Sequence, residues 1–470
     1  MKFIFRFTVI ILFMILFVQL AIASSNNTLG IGKYNNDTEF QSAYDTDGVY
    51  YVTTEDGVKL VIKHYRPFKS DNFNTKKQPI ILFNGIVCSM KEFDIRTTAE
   101  TKNLYAGFKL DPKEIEAWAK DDSYVKKDPM LYYSIAYYLW KFGYDVWLTH
   151  YRGTGAGTLK SDLNKQGITL DEWIVYDTPA IIDEVYKLTG LQPIIGGHST
   201  GGVVSYGYLQ GAYFDKNSGH VKNDIDLSKK RNSFIKAYLG FDQAGEWPYP
   251  SWSDLTPIWQ VMATPLFVQA GDMIYNSLKA QAANYLINPD SPIYALVQNA
   301  MVTLFNLDEA TGNDGLFQYT SIMNTKNINK YVLDYFFRYG VTGFPMRGIG
   351  MYYDYGINHT IREFWKNGEE NKDLIKGPKP TAGDGYYYYK DNMNLVTIPA
   401  LSMLSETQAI VSPTNMIRDF VKGKTHHLMD ETHVIPNTGH MDVVVGDTAP
   451  KVLYYILRDW FSRMEKYGYL

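Results

Sequence analysis

The fold turns on Pro193-Ile194-Ile195-Gly196-Gly197-His198-Ser199-Thr200-Gly201-Gly202, followed by Val203-Val204-Ser205-Tyr206-Gly207-Tyr208-Leu209. Residues 193–195 form a short apolar run of strand type, and residues 203–209 are helical in character. Between them lies Gly-x-Ser-x-Gly, from Gly197 to Gly201. A serine on so tight a strand-to-helix turn has a strained backbone, and its near neighbours must be glycine to avoid clashes. The turn lifts Oγ clear of the sheet. It also sets the N-terminus of the next helix, with its N–H groups and positive dipole end, beneath the reacting atom. The motif alone is common. The strand before it and the helix after it make Ser199 a candidate nucleophile rather than a serine that caps a helix.

The flanking sequence alternates short strands with helices. Residues 49–54 and 59–65 are strand-like runs around Asp56-Gly57, a strong hairpin signal. Residues 79–83 are a buried-strand run, and 97–128 read as a charged, partly helical insertion. Helical periodicity over 132–142 stops at Gly143, and 144–148 is strand-like again. An amphipathic helix over 170–188 is closed by Gly190, and 234–241 is a further short strand. From 245 to 393 the chain turns helical in character, broken by Pro and Gly and dense in Trp, Tyr, Phe and Met. Residues 386–389 within it are four consecutive tyrosines. Alternation then resumes with a strand over 397–404, a helix around 413–421, a strand over 433–436 and a last helix from about 450 to 467.

This pattern predicts the α/β class: a doubly wound, mostly parallel sheet covered on both faces. Its core comes from residues 49–244 and 394–470, with a large helical cap, 245–393, inserted between strands 6 and 7. Ligand crevices in open α/β sheets lie outside the carboxyl ends of the strands. An insertion leaving from such an end roofs the site. Its aromatic and methionine content suits an apolar pocket or a lid that opens on lipid. The plainer alternative is that these aromatics form the insertion's own core.

The chain has 470 residues, 45% hydrophobic and 20% charged, enough to bury a sizeable core, which excludes wholesale disorder. Its 46 basic residues nearly balance 50 acidic ones, so no global field favours nucleic acid. The basic run Lys229-Lys230-Arg231 reads as a solvated loop. Met1-Lys2, Arg6 and an apolar run ending in Ala21-Ile22-Ala23 predict a signal peptide, residues 1–23, cleaved near Ala23. The run is about 16 residues, short of the ~20 a membrane span needs, although an uncleaved anchor is the alternative. A polar leader, 24–48, follows, and the expected location is secreted or periplasmic. Cys88 is the single cysteine, so no internal disulfide can form, and a chain this long can rely on its core instead. Asn26, Asn36 and Asn358 open glycosylation sequons.

A serine hydroxyl needs a base. His440, in Asn437-Thr438-Gly439-His440-Met441-Asp442, lies on a turn between the last strand and the last helix, and the order serine then histidine fits. His426 and His427 are adjacent and would point apart. His198, inside the nucleophile turn, reads as a packing residue. With no His-Glu-x-x-His motif and no Cys/His cluster, neither a metal nor a cofactor is expected.

These stretches resemble the α/β-hydrolase fold, and within it the acid-lipase-like branch of lipases and esterases with an inserted cap. The resemblance runs from about Val49 to the C-terminus. It is carried by Leu139-Trp140-Lys141-Phe142-Gly143-Tyr144-Asp145-Val146-Trp147-Leu148 with Tyr151-Arg152-Gly153, by the elbow at Ser199, and by Gly439-His440 with Asp447-Thr448-Ala449-Pro450. Phe337-Arg338-Tyr339-Gly340, Phe344, Asp354-Tyr355-Gly356 and Asn358 loosely resemble its cap. Asn84-Gly85-Ile86-Val87 is similar to the family's His-Gly-x-x oxyanion loop, with Asn in place of His. The resemblance implies oxyanion donors at the Ile86 and Thr200 amides.

It also puts the triad acid at Gln408, which carries no charge. Lipases of the pancreatic type take their acid from an earlier strand end, and here that is Asp242, in Gly240-Phe241-Asp242-Gln243-Ala244. Glu406 is a second option, and the absence of a functional acid a third. The function implied is an exported serine hydrolase of carboxylic esters with apolar acyl groups. It would act on an apolar ester or lipid and touch a lipid surface transiently through the cap. The oligomeric state is left open. The rival readings are a catalytically silent binding protein of this fold and an amide or peptide hydrolase with the same triad.

Overall fold

The computed structural model describes residues 48–65, 78–98, 101–155, 157–163, 168–244, 323–342, 351, 355, 360–364, 383–406 and 416–470. The signal peptide, most of the polar leader, much of the expected cap and Gln408 lie outside the described residues. So do the three sequon asparagines and the cap positions Phe344, Asp354 and Gly356.

Ten strands are described: β1 (Gly48–Thr53), β2 (Lys59–Tyr65), β3 (Pro79–Phe83), β4 (Asp145–His150), β5 (Ile194–His198), β6 (Ala212–Phe214), β7 (Val221–Asn223), β8 (Ala237–Phe241), β9 (Ala400–Ser405) and β10 (Glu431–Ile435). The helices that matter below are α1 (Ile135–Lys141), α2 (Thr178–Thr189), α3 (Thr200–Leu209), α4 (Ile225–Phe234), α5 (Lys330–Tyr335), α6 (Asp442–Val445) and α7 (Tyr454–Lys466). Eight strands make one sheet in the order β1-β2-β4-β3-β5-β8-β9-β10, and β6 and β7 form a separate hairpin. β2 runs antiparallel to both neighbours. From β4 to β10 every pairing is parallel. This is the α/β-hydrolase sheet, and the chain has that fold.

The strand sequences explain the two covered faces. In β3, Ile80 and Leu82 join one buried cluster, while Ile81 and Phe83 join the other. Such a run is apolar at every position because neither face meets water. The last helix shows the complementary logic: Tyr454, Leu457, Trp460, Phe461 and Met464 are buried at helical spacing. Each such side chain contributes about 1.5–3 kcal/mol on burial.

Glycine sets the turns that the alternation needs. Gly57 has φ +84° in the hairpin between β1 and β2, and Gly190, with φ +70°, closes α2 in the left-handed conformation.

Three sequence expectations are corrected. Lys229-Lys230-Arg231 is not a loop but part of α4, and Arg231 is buried, donating to the carbonyls of Tyr208 and Ala212. Phe234 ends α4 rather than starting a strand, so β8 is shorter than expected. The described aromatics of the 245–393 stretch do not form a separate core. Tyr335, Phe336 and Tyr339 join one sheet cluster, and Tyr387 and Tyr389 join the other. The tyrosine run is pinned by its hydroxyls: Tyr387 donates to Gln210 at 2.9 Å and Tyr389 to Asp171 at 2.8 Å.

Candidate active site

β5 runs straight into α3 through Ser199, whose φ of 54° and ψ of −115° lie outside the regions a side chain prefers. Backbone contacts hold it there: Ser199 N–H donates to Phe241 O at 3.1 Å, and Ala244 N–H donates to Ser199 O at 2.9 Å. The crossing is too tight for other residues beside it. A Cβ on Gly197 would stand 2.3 Å from Phe83 O, and one on Gly201 only 2.0 Å from that atom. The neighbouring glycines are thus a requirement of the close approach of β3 to the elbow.

Asp242 follows β8 directly and His440 precedes α6. His440 Nδ1 lies 2.7 Å from Asp242 Oδ2, with both side chains buried. Facing a carboxylate, Nδ1 carries the proton and Nε2 keeps its lone pair. Asp242 also accepts from the Ser405 amide at 2.7 Å and the Ser405 hydroxyl at 2.8 Å. Ser405 is the last residue of β9, so the neighbouring strand end supplies donors to a carboxylate carried by β8. Sequence reasoning missed Ser405. Its only signal was the end of a strand next to the one bearing Asp242.

Glu406 is exposed, and its carboxylate accepts the Asn437 amide at 2.8 Å. It is thus occupied with the loop before His440, whereas Asp242 meets the imidazole. Ser199 Oγ makes no hydrogen bond to His440 among the described residues; in hydrolases without substrate such a bond is often long and tightens on binding. Burial pushes the His440 pKa below the ordinary histidine value, against the pull of Asp242.

The Asn84–Val87 loop lies against the elbow. A Cβ on Gly85 would stand 3.4 Å from Ser199 Cβ. Asn84 Nδ2 donates to Gly85 O at 3.0 Å and to Cys88 O at 2.6 Å, so the residue replacing the family's histidine ties the loop to itself. Val87 has φ 58°, and its carbonyl accepts the Thr342 amide at 2.8 Å. Ser89 N–H donates to Gly340 O at 2.7 Å, and Cys88 bridges Val341. Residues 340–342 of the insertion therefore buttress this loop. Thr200 opens α3 beside Ser199, at the positive end of the helix dipole.

The histidine loop has its own anchor. Asp442 accepts from the Gly439 amide at 2.9 Å, the Asn324 amide at 2.8 Å and Asn327 Nδ2 at 2.7 Å. His198, expected to be a packing residue, instead bonds Glu92 and the carbonyl of His440. Cys88, Glu92 and His198 bring three donor atoms within 4.8 Å of one another, a cluster invisible in the sequence. Glu92 and His198 are already engaged with each other and with the backbone. The cluster is a polar network, and no metal is assigned to it.

No family model matches the chain. Over 213 residues, 41% of its length, the chain is 26% identical to the lipase lipl-3 of Caenorhabditis elegans. That match covers 42% of the nematode protein, so the chain spans less than half the length of the curated relative it matches. Among solved structures it is similar to a thermophilic esterase from Thermogutta terrifontis, with TM-score 0.43, 12% identity, and 89% of this chain and 99% of that one covered. It is also similar to a soluble variant of monoglyceride lipase from Saccharomyces cerevisiae, with TM-score 0.43, 12% identity, and 89% and 96% covered. The strand order gives the chain an α/β-hydrolase fold.

Proposed function

We propose that this protein is an exported serine hydrolase that cleaves carboxylic esters with apolar acyl groups. One observation carries the reading: the 2.7 Å contact of Asp242 with His440 Nδ1, made where the histidine loop meets the nucleophile elbow. Ser199 Oγ attacks the ester carbonyl while His440 Nε2 takes its proton. The alkoxide of the tetrahedral intermediate is held by the Ile86 and Thr200 amides, on the order of 3 kcal/mol of barrier each. His440 then protonates the leaving alcohol, and the acyl-enzyme is hydrolysed through the same groups in reverse order. Asp242 orients the imidazole and stabilises its protonated form without taking the proton itself. An apolar ester or lipid as substrate, and transient contact of the cap with a lipid surface, fit the aromatic content of residues 245–393. Export rests on the signal-like residues 1–23.

The test is a panel of p-nitrophenyl esters of increasing acyl length, run beside matching anilides. The reading expects ester turnover that rises with acyl length beyond acetate and vanishes in Ser199→Ala. Faster cleavage of the anilides would move the assignment to amide hydrolysis. Absence of any turnover in correctly processed protein would leave a binding protein. Sequencing the N-terminus of the protein recovered outside the cytoplasm checks the expected cut near Ala23.

A further inference from the structure

His198 lies between the candidate base and the oxyanion loop with both ring nitrogens engaged. Nε2 is 2.9 Å from the His440 carbonyl oxygen. That oxygen only accepts, so Nε2 carries a proton. Nδ1 is 3.0 Å from Glu92 Oε2. The other Glu92 oxygen accepts the Gly85 amide at 2.8 Å, one residue before Ile86. Glu92 and His198 are both buried.

One proton remains to be placed between Glu92 and Nδ1. The titratable groups facing His198 are Glu92 and Cys88 from the turn after β3, His440 from the histidine loop and Asp242 from the end of β8. The Glu92 carboxyl receives the Gly85 N–H, and the Cys88 thiol lies in the same cluster, its pKa pushed up by burial and then by Glu92. Placed on Nδ1, facing the Glu92 oxygen at 3.0 Å, that proton makes His198 an imidazolium. Burial opposes that charge, but Glu92, the His440 carbonyl and Asp242 together outweigh it and the His198 pKa is raised. The His198 ring stands 4.8 Å from the His440 ring, centroid to centroid.

We propose that Glu92 and His198 form a second carboxylate–imidazolium pair, which clamps the oxyanion loop, the nucleophile elbow and the histidine loop into one unit and fixes a positive charge beside His440. These are positioning residues. Glu92 holds Gly85, and His198 holds the carbonyl of the residue that serves as base. Of the pair's two charges, the His198 cation disfavours a second positive charge on His440 more than the Glu92 anion favours it, so the base stays neutral, and active, to lower pH. This kinetic consequence rests on the ester-hydrolase reading, whereas the pair itself does not.

The test has two arms. In protein labelled with ¹⁵N-histidine, His198 is assigned through its contacts with the Gly85 and His440 backbone. The expected result at pH 7.5 is a ring with both nitrogens protonated, and loss of one of these protons in Glu92→Gln. A neutral ring in the wild type would overturn the proposal. In the second arm, Glu92→Gln should lower kcat for a p-nitrophenyl ester by about 10–100-fold with little change in KM. It should also raise the acidic limb of kcat/KM, because the His198 charge lowers the His440 pKa by more than the Glu92 charge raises it. A purely structural role would cut activity and leave the limb in place, and an unmoved limb overturns the electrostatic half of the proposal. Should wild-type protein turn over no ester, the hydrolase reading fails and the histidine spectrum alone decides the pair. Should Glu92→Gln not fold, the wild-type spectrum still decides it.

Discussion

At the scale of single residues, backbone strain marks the site. The non-glycine residues with positive φ among those described are Val87, Ser199, Asp242 and Asn437. They lie in the oxyanion loop, at the elbow, at the end of β8 and before His440. Each such conformation costs about 1–3 kcal/mol and persists only where its surroundings enforce it. Asp242 is the residue on which the triad depends most. Asp242→Asn should lower kcat by ~10³–10⁴, because the amide cannot hold His440 in the right tautomer. Glu406→Gln should change it little, since that side chain is exposed and serves the Asn437 amide. A steady-state comparison of the two variants checks both statements. The pH profile follows from His440. Its pKa is lowered, chiefly by burial. The base is therefore still neutral below the ordinary histidine pKa, and the acidic limb of kcat/KM should lie below about 6.5. A limb above 7 would contradict this.

At the scale of elements, the elbow is defined by what it excludes. Gly201→Ala would drive a methyl into the Phe83 carbonyl. Backbone cannot yield there, so a loss of several kcal/mol or failure to fold is expected. Gly190→Ala adds its methyl to open space and meets only the penalty of φ +70°, about 1 kcal/mol. Urea midpoints of the two variants separate close approach from backbone conformation. Elbow, hairpin and histidine loop were all legible in the sequence, because each needs special residues at fixed places: Gly197 and Gly201, Asp56-Gly57, Gly439-His440. Boundaries were less legible. Phe234 is apolar and reads as strand, yet Asp224 caps α4 through the amides of Asp226 and Leu227, and the helix runs on to Phe234. Lys229-Lys230-Arg231 read as a loop because charge hides the fact that Arg231 covers the Tyr208 ring and bonds two carbonyls.

At the scale of the whole molecule, contacts distant in sequence join the parts. Arg152, fully buried, donates to Asp177 from its backbone and its Nε, and to Asp56 in the first hairpin through both terminal nitrogens. Removing the cation leaves two carboxylates uncompensated, so Arg152→Met should cost about 3–5 kcal/mol in a urea titration. A loss under 1 kcal/mol would show that the node does not matter. Alternation of strands and helices revealed the sheet even across the long insertion. It could not reveal what depends on packing between distant segments. Ser405 beneath Asp242, Glu92 beside His198 and Asp442 holding Asn324 are each separated by scores of residues from the partner that gives them a role.

The central claim is that Ser199 and His440 act as one nucleophilic unit. The most direct measurement is the site and rate of reaction with a fluorophosphonate, mapped by mass spectrometry on the wild type and on His440→Ala. The account predicts a single adduct on Ser199, formed at least ~10³-fold more slowly once the imidazole is gone. An unlabelled Ser199, or a rate indifferent to His440, would contradict it.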